Sequence, residues 1–144
     1  YEWYRAAAEQ QSASGYCGMG KCYEYWQTQL PFTSNGQDIN EKLLDYDQKR
    51  IDCYEEARKY LSSQDEEIET LYGLAASYRS AGEHVANEAA SLQMNKLAIF
   101  YFYAAYDCGH PYAMIKAREI AENNKIYVDF NNVVGWARSE GIVE

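Results

Sequence analysis

A chain of 144 residues, 47% hydrophobic and 24% charged, is long enough to bury one core, and this composition argues against wholesale disorder. The net charge of −9 opposes the electrostatics that nucleic-acid binding needs, so we predict no nucleic-acid partner and expect any protein partner to be basic. No apolar run approaches the roughly 20 residues of a membrane-spanning helix, so we predict no membrane insertion.

The N-terminal segment, residues 1–37, contains two of the four cysteines. We predict two short helical stretches on either side of a glycine-rich turn, because the two glycines between Cys17 and Cys22 would let the chain double back. PFTSNGQ then predicts a loop. An even cysteine count favours disulfides in an oxidising compartment. From this count we expect a periplasmic or otherwise exported protein. The chain begins at Tyr1 and shows no signal peptide, so an export signal would have been removed.

A capped helix is predicted next. Asp38 and Glu41 match the capping pattern of a helix start. The helix should run to about Leu61, and one stripe of its residues should face a core. Arg50 interrupts this stripe. The stripe consists of residues at steps of three and four: Ile39, Leu43, Tyr46, Cys53, Ala57 and Tyr60.

A second capped helix follows. Ser63 and Glu66 repeat the capping pattern, and acidic residues fill the first turn, where the helix dipole favours them. Gly82 is the predicted end of the helix. The predicted buried face consists of Ile68, Leu71, Leu74, Ala75 and Tyr78.

Residues 97–113, LAIFYFYAAYDCGHPYA, form the most conspicuous segment. The preceding residues 83–95 are mixed and predict a loop with a helical turn. The aromatic residues of the segment go all the way round a helix, which is typical of a helix buried between neighbours. Gly109 would end this helix, and Pro111 stands at the preferred first position of the next.

The rest of the chain predicts a helix to Asn123-Asn124, a short connector at KIYVDF and a final short helix that Gly141 ends. Nothing alternates with the period of a strand for long enough to build a sheet. We therefore predict an all-α fold of five to seven helices in antiparallel hairpins, arranged as a short α-solenoid or an irregular helical bundle. The expected single domain, 1–144, comprises a Cys-containing N-terminal segment (1–37), a helical-repeat core (38–122) and a C-terminal capping segment (123–144).

Small and aromatic residues recur at fixed offsets in two consecutive helices of residues 71–122. The first helix carries Leu74, Ala75, Tyr78 and Ala81-Gly82, and the second carries Lys96, Ala98, Tyr101, Phe102, Ala105, Gly109, His110 and Ala113. This pattern resembles the Sel-one-like branch of the tetratricopeptide repeats. In that family a Leu-Gly-x-x-Tyr-x-x-Gly helix precedes one reading Lys-Ala…Trp-Tyr-x-x-Ala-Ala-x-x-Gly-His-x-x-Ala.

The resemblance implies a non-catalytic protein-binding scaffold. Bacterial proteins with such repeats include periplasmic regulators and the immunity proteins that protect cells from their own type VI secreted toxins. This small, acidic, cysteine-containing chain is similar to the second group, which implies an inhibitor that binds a toxin and blocks it sterically. The alternative is an envelope adaptor or a regulatory scaffold.

The candidate partner-binding residues lie on the second capped helix. Its acidic first turn is most simply a solvated helix start, but it could also meet a basic patch on a partner or place a carboxylate in an enzyme's active site. The candidates are Asp65, Glu66, Glu67, Glu69, Tyr72 and Tyr78.

The cysteines are disulfide candidates, with Cys17–Cys22 as a local loop and Cys53–Cys108 as a link between two helices. Pairs of Cys17 or Cys22 with Cys53 or Cys108 remain open, as do reduced, buried thiols at Cys53 and Cys108. No CxxC or HxxxH pair suggests zinc, and no third group is evident that would orient His110 as a base for Cys108. We therefore predict no metal, no cofactor and no catalytic site.

Overall fold

The computed structural model describes residues 1–33 and 39–143. These residues form α-helices without any strand, which confirms the predicted all-α fold. The helices are α1 (Glu2–Glu9), α2 (Ala13–Thr33), α3 (Ile39–Ala57), α4 (Gln64–His84), α5 (Glu88–Asp107), α6 (Ala113–Asn123) and α7 (Val133–Ser139), and a 3-10 turn (Arg58–Tyr60) follows α3. Each helix from α1 to α6 packs against its neighbour in the chain, and α2 also contacts α4. Successive helices therefore form hairpins.

The turn of the N-terminal segment does not lie where we predicted it. The chain turns at residues 10–12, where Gln11 has a φ of 59°, whereas CGMGKC lies inside α2. The glycines of this stretch allow close packing instead, since a Cβ at Gly18 would overlap the Tyr4 ring of α1. α2 also includes the first three residues of the predicted PFTSNGQ loop. Residues 34–38, with the predicted cap Asp38, lie outside the described residues.

The connection between α4 and α5 is shorter than predicted. α4 continues for two residues past Gly82, and Asn87 caps α5, which begins at Glu88. The predicted loop over residues 83–95 is therefore wrong, because only three residues separate the helices. Gly82 is buried beside α5, where a Cβ would lie 2.9 Å from the side-chain oxygen of Asn95. Its role is close helix packing rather than helix termination.

The end of α5 confirms the prediction at Gly109. This residue has a φ of 121°, a conformation that glycine adopts readily and other residues adopt rarely. The amides of Gly109 and His110 donate hydrogen bonds to carbonyls in the last turn of α5. Pro111 lies in the following turn rather than at the first helical position, since α6 begins at Ala113.

Buried apolar side chains form two clusters, and α4 contributes to both. The C-terminal cluster contains Leu71, Ala75, Ala98, Ile99, Phe102, Ala105, Ala113, Ala117, Ile120, Ala121, Val128, Val133, Trp136 and Ala137. The N-terminal cluster contains Ala13, Cys17, Ile51, Tyr54, Ala57, Leu74 and Ala81. Leu71 and Ala75 thus face one cluster, while Leu74 and Ala81 face the other. Helix α4 therefore lies between the two halves of the core.

The aromatic stretch of α5 is not buried all round as predicted. Its fully buried positions are Ala98, Ile99, Phe102 and Ala105, whereas Phe100, Tyr101 and Tyr103 are half-buried and Tyr106 is exposed. The buried residues lie three or four positions apart, as on one face of a helix. The other rings of α5 contribute to its surface.

Replacement of Ser63 by alanine should lower the free energy of unfolding by about 1 kcal/mol. The Ser63 hydroxyl accepts a hydrogen bond from the Glu66 amide at 3.2 Å and so satisfies a donor that the first turn of α4 leaves unpaired. Urea denaturation followed by circular dichroism measures this loss. The matched control is Ser62→Ala, whose exposed hydroxyl contacts only the side chain of Glu66, so its effect should stay within about 0.5 kcal/mol.

Candidate functional site

A cavity of about 410 Å³ opens between α2 and α4, and we call it the acidic cavity. Its volume falls within the range of about 300–1,000 Å³ that ligand pockets occupy. It is lined by Lys21, Glu24, Tyr54, Asp65, Ile68, Glu69, Tyr72, Gly73, Ala76 and His110. The lining combines carboxylates, aromatic rings and apolar groups, so the cavity offers several kinds of contact to a ligand.

The α4 side of the cavity follows from helical spacing. Asp65, Glu69, Tyr72 and Ala76 recur at steps of four, three and four residues, which aligns their side chains on one face of the helix. The acidic residues of this face lie near the helix N-terminus, where the helix dipole stabilises negative charge. Three of the predicted partner-binding residues are thus brought together.

The electrostatics of the acidic cavity are dominated by carboxylates. Among the lining residues, Lys21 carries the positive charge of a lysine side chain. Its ammonium group lies 2.6 Å from Glu69 Oε1. The hydrogen bond to Glu69 raises the pKa of Lys21. Glu24 lies 3.9 Å from the guanidinium of Arg50, while Asp65 makes no ion pair with the described residues. The cavity therefore keeps excess negative charge after its internal ion pair is counted.

A stacked pair of rings forms one wall of the cavity. The rings of Tyr72 and His110 are 4.3 Å apart and inclined by 10°, and Tyr72 also forms a T-shaped pair with Phe102, with ring centres 5.2 Å apart. The amide of Tyr112 donates to His110 Nδ1 at 3.3 Å, so a neutral imidazole would carry its proton on Nε2. Gly109, which ends α5, places His110 in the turn beside Tyr72. The wall is fixed by contacts from three segments of the chain.

Tyr54 reaches the cavity from α3 through a gap between α2 and α4. A Cβ at Gly20 of α2 would lie 2.8 Å from the Tyr54 ring, and a Cβ at Gly73 of α4 would lie closer still. The two glycines therefore leave the space that the ring occupies. Because the side chain is only 2% exposed, Tyr54 forms the innermost part of the cavity.

The other predicted partner-binding residues lie on different surfaces. Glu66 accepts hydrogen bonds from Ser62 and Ser14, and these contacts lower the pKa of its carboxyl group. Glu67 lines a separate groove beside Cys108. Tyr78 stacks on Tyr101 with ring centres 5.7 Å apart, and burial raises its pKa to about 12. The six candidates therefore do not form one continuous site.

Seven of the ten lining residues were not among the predicted candidates: Lys21, Glu24, Tyr54, Ile68, Gly73, Ala76 and His110. Lys21 and Glu24 come from a segment that we expected to hold a turn. One available signal was the spacing of the glycines in α2, since Gly18 and Gly20 each face a tyrosine ring. Such glycines mark places where another element approaches closely.

The predicted disulfides are not formed, and all four cysteines are free thiols. Cys17 and Cys22 lie five residues apart on one helix, which separates them by about 7.5 Å along the axis and exceeds the reach of a disulfide. Burial raises the pKa of Cys17 to about 11 and that of Cys53 to about 12, and the Cys17 and Cys22 thiols contribute to the second shift. Cys53 therefore lies near the α2 thiols, whereas Cys108 caps the end of α5.

A second polar group of residues is buried where α2, α3 and α4 meet. Asp47 is 0% exposed and accepts hydrogen bonds from Gln27 Nε2 and Ser80 Oγ, both at 2.5 Å, while its other oxygen lies 2.7 Å from His84 Nδ1. The buried guanidinium of Arg50 donates to Gln27 at 2.7 Å and lies 3.8 Å from Asp47. A serine nucleophile needs a base that accepts its proton. Here Ser80 and His84 both bind the carboxylate, so this arrangement stabilises the fold rather than activating the serine.

Neither the acidic cavity nor the buried polar group has the arrangement of a nucleophile oriented toward a base. Among the described helices, none combines the length and the apolar character needed to cross a membrane. Comparisons of the chain with protein-family models, with curated proteins and with solved structures found no match.

Proposed function

We propose that this chain is a non-catalytic protein-binding module that neutralises a secreted toxin by covering it, and that it binds through the acidic cavity. The observation that carries the proposal is a preformed cavity with three carboxylates against one lysine, on a chain with a net charge of −9. Such a field attracts a basic protein over a distance and orients it during encounter. The partner is therefore a protein with a basic surface.

The aromatic wall supports binding rather than chemistry. Tyrosine rings contribute large, rigid contact areas, and interfaces are enriched in them for this reason. The stacked rings of Tyr72 and His110 are already held in place by the turn after α5. A toxin that inserts a basic segment into the cavity would lie across α2 and α4. The toxin surface that acts on its target would then be covered. Inhibition of this kind is stoichiometric.

The proposal includes export to the periplasm. This location is supported by the resemblance of residues 71–122 to the Sel-one-like proteins, which include periplasmic regulators and immunity proteins, and not by the cysteines, since the four free thiols do not match the disulfides expected in an oxidising compartment. Fractionation of the native cells measures the location directly. A protein confined to the cytoplasmic fraction would contradict this part of the proposal.

Neutralisation of the three cavity carboxylates should abolish protection against the toxin. In the triple variant Glu24→Gln, Asp65→Asn and Glu69→Gln, each side chain keeps its shape but loses the charge that attracts a basic partner. We expect the variant to bind the toxin about 100-fold more weakly, which corresponds to about 2.7 kcal/mol. The measurements are survival of cells that express toxins encoded next to this gene and calorimetric titration of the purified pair.

The matched control is the triple variant Asp52→Asn, Glu83→Gln and Glu122→Gln, which changes the net charge equally at exposed sites outside the cavity. It should protect cells as the original chain does. Wild-type titration should end at a fixed stoichiometry, because a steric inhibitor is not regenerated. Equal protection by the two triple variants, or no neutralisation of any adjacent toxin, would contradict the proposal.

A further inference from the structure

We propose that the acidic cavity accepts an arginine side chain of the partner and that the hydroxyl of Tyr54 selects it. This inference rests on the proposed function, because it names the residue class that the partner inserts. The independent observation is the state of Tyr54 itself. Its side chain is 2% exposed and lines the cavity, yet its hydroxyl makes no hydrogen bond to any residue in the described ranges 1–33 and 39–143.

Among the described residues, the fully enclosed unpaired polar side-chain atoms are Arg50 Nε and Trp136 Nε1, so the unpaired Tyr54 hydroxyl is accessible from the cavity. A polar group of a ligand can replace the water that solvates this hydroxyl. The fold leaves space for the Tyr54 ring with glycines on both flanking helices, Gly20 and Gly73. The arrangement delivers one polar atom to the innermost part of the cavity. That atom is available to a group that enters from outside.

The charges around the hydroxyl decide which group fits. The pKa of Tyr54 is raised first by burial and then by Cys17 and Glu24, is lowered by Arg50, and is raised further by Glu69. Carboxylates of both α2 and α4 therefore lie near the hydroxyl, and the nearby Arg50 is itself buried with Asp47. The phenol stays protonated at neutral pH, and its oxygen can accept a hydrogen bond. A cation with several donors can therefore bind the hydroxyl and the carboxylates at once.

Arginine meets these requirements better than lysine. Its guanidinium group carries five N–H donors in one plane, so it can share them between carboxylates and the tyrosine oxygen. The same plane stacks on aromatic faces, and the Tyr72–His110 pair supplies an aromatic wall. Guanidinium is also more weakly hydrated than ammonium, which lowers the cost of entering a partly buried cavity.

The cavity of about 410 Å³ also has room for the backbone on either side of the inserted side chain. The test therefore uses short capped peptides with the sequences Gly-Arg-Gly, Gly-Lys-Gly and Gly-citrulline-Gly. Citrulline has nearly the shape of arginine but no charge. Each peptide is titrated into the full chain at low salt, and the amide signals of Gly20 and Gly73 are followed by nuclear magnetic resonance.

We expect the arginine peptide to bind most tightly, the lysine peptide to bind more weakly and the citrulline peptide to bind least. The Tyr54→Phe variant, which keeps the ring, should weaken binding of the arginine peptide about tenfold, since a hydrogen bond to a charged group is lost. The control variant Tyr78→Phe should bind as the original chain does, because Tyr78 stacks on Tyr101 outside the cavity.

Absence of arginine-peptide binding would overturn the inference, as would equal binding of the citrulline peptide or signal changes away from the cavity. These results come from the original chain and do not depend on the folding of a variant. An unchanged dissociation constant in Tyr54→Phe would overturn the role of the hydroxyl. If the cavity triple variant loses protection while no arginine peptide binds, the proposed function stands and this inference alone fails.

Discussion

Replacement of Asp47 by alanine should lower the free energy of unfolding by about 3–5 kcal/mol. The carboxylate is fully buried and accepts hydrogen bonds from Gln27 and Ser80, with His84 at its other oxygen. Its removal would leave these polar groups without their acceptor. It would also leave the guanidinium of Arg50, which is 4% exposed, without the buried carboxylate that lies 3.8 Å away.

The loss is measured by urea denaturation, with the midpoint and slope fitted for both proteins. Since the whole stability of a domain is about 5–15 kcal/mol, the variant would keep a small margin or unfold at ambient temperature. The matched control is Asp45→Ala on the same helix. Its exposed carboxylate pairs with Lys49 at 3.1 Å, so the loss should stay below about 1 kcal/mol.

A second variant separates the buried charge from the lost contacts. When Asp47→Ala is combined with Arg50→Met, no guanidinium remains that has lost its buried carboxylate, so the double variant should be more stable than Asp47→Ala alone. A double variant less stable than the single one would contradict this explanation. A change below about 1 kcal/mol in Asp47→Ala would show that water replaces the carboxylate.

Replacement of Phe102 by alanine should cost about 3–5 kcal/mol of unfolding free energy. Phe102 is 1% exposed and belongs to the C-terminal cluster, where buried side chains of α4 to α7 meet. The truncation would remove apolar area and leave a cavity that rigid neighbours fill only in part. It would also remove the ring that forms a T-shaped pair with Tyr72, so the aromatic wall of the acidic cavity should loosen.

Thermal and urea unfolding measure the stability, and signal broadening at His110 measures the looser wall. Tyr106→Ala is the control on the same helix, because Tyr106 is exposed and outside the cluster. Its effect should remain within about 0.5 kcal/mol. A similar loss in both variants would mean that the helix tolerates neither change for reasons of helix formation, and the core position of Phe102 would not be the cause.

Local signals of the sequence predicted most of the helices but not how they pack. The cap at Ser63 and the glycine at 109 were recognised because each depends on a few neighbouring residues. The glycines of CGMGKC were read as a turn, since glycine serves both turns and close packing. Their actual role depends on Tyr4 and Tyr54, which approach from other helices. That information is not local.

The candidate site likewise contains some features that local spacing predicts and others that depend on packing between helices. Asp65, Glu69 and Tyr72 could be placed on one face because helical spacing fixes their relative direction. The contribution of Tyr54 could not be predicted, since it requires α2 and α4 to leave space around a ring from α3. Arg50 was taken as an interruption of an apolar stripe, yet it is buried with Asp47. Charged residues at apolar positions are usually exposed, so the pattern alone favoured the wrong interpretation.

The position of α4 between the two apolar clusters has a consequence for binding entropy. Asp65, Glu69 and Tyr72 are anchored on a helix that is buried on two neighbouring faces, by Leu71 on one and Leu74 on the other. Most of the backbone freedom of this helix is lost when the chain folds, so little remains to be lost when a partner arrives. A flexible acidic loop with the same charges would lose that freedom at the moment of association. The core thus gives the cavity a rigid backbone on which its carboxylates are presented in advance.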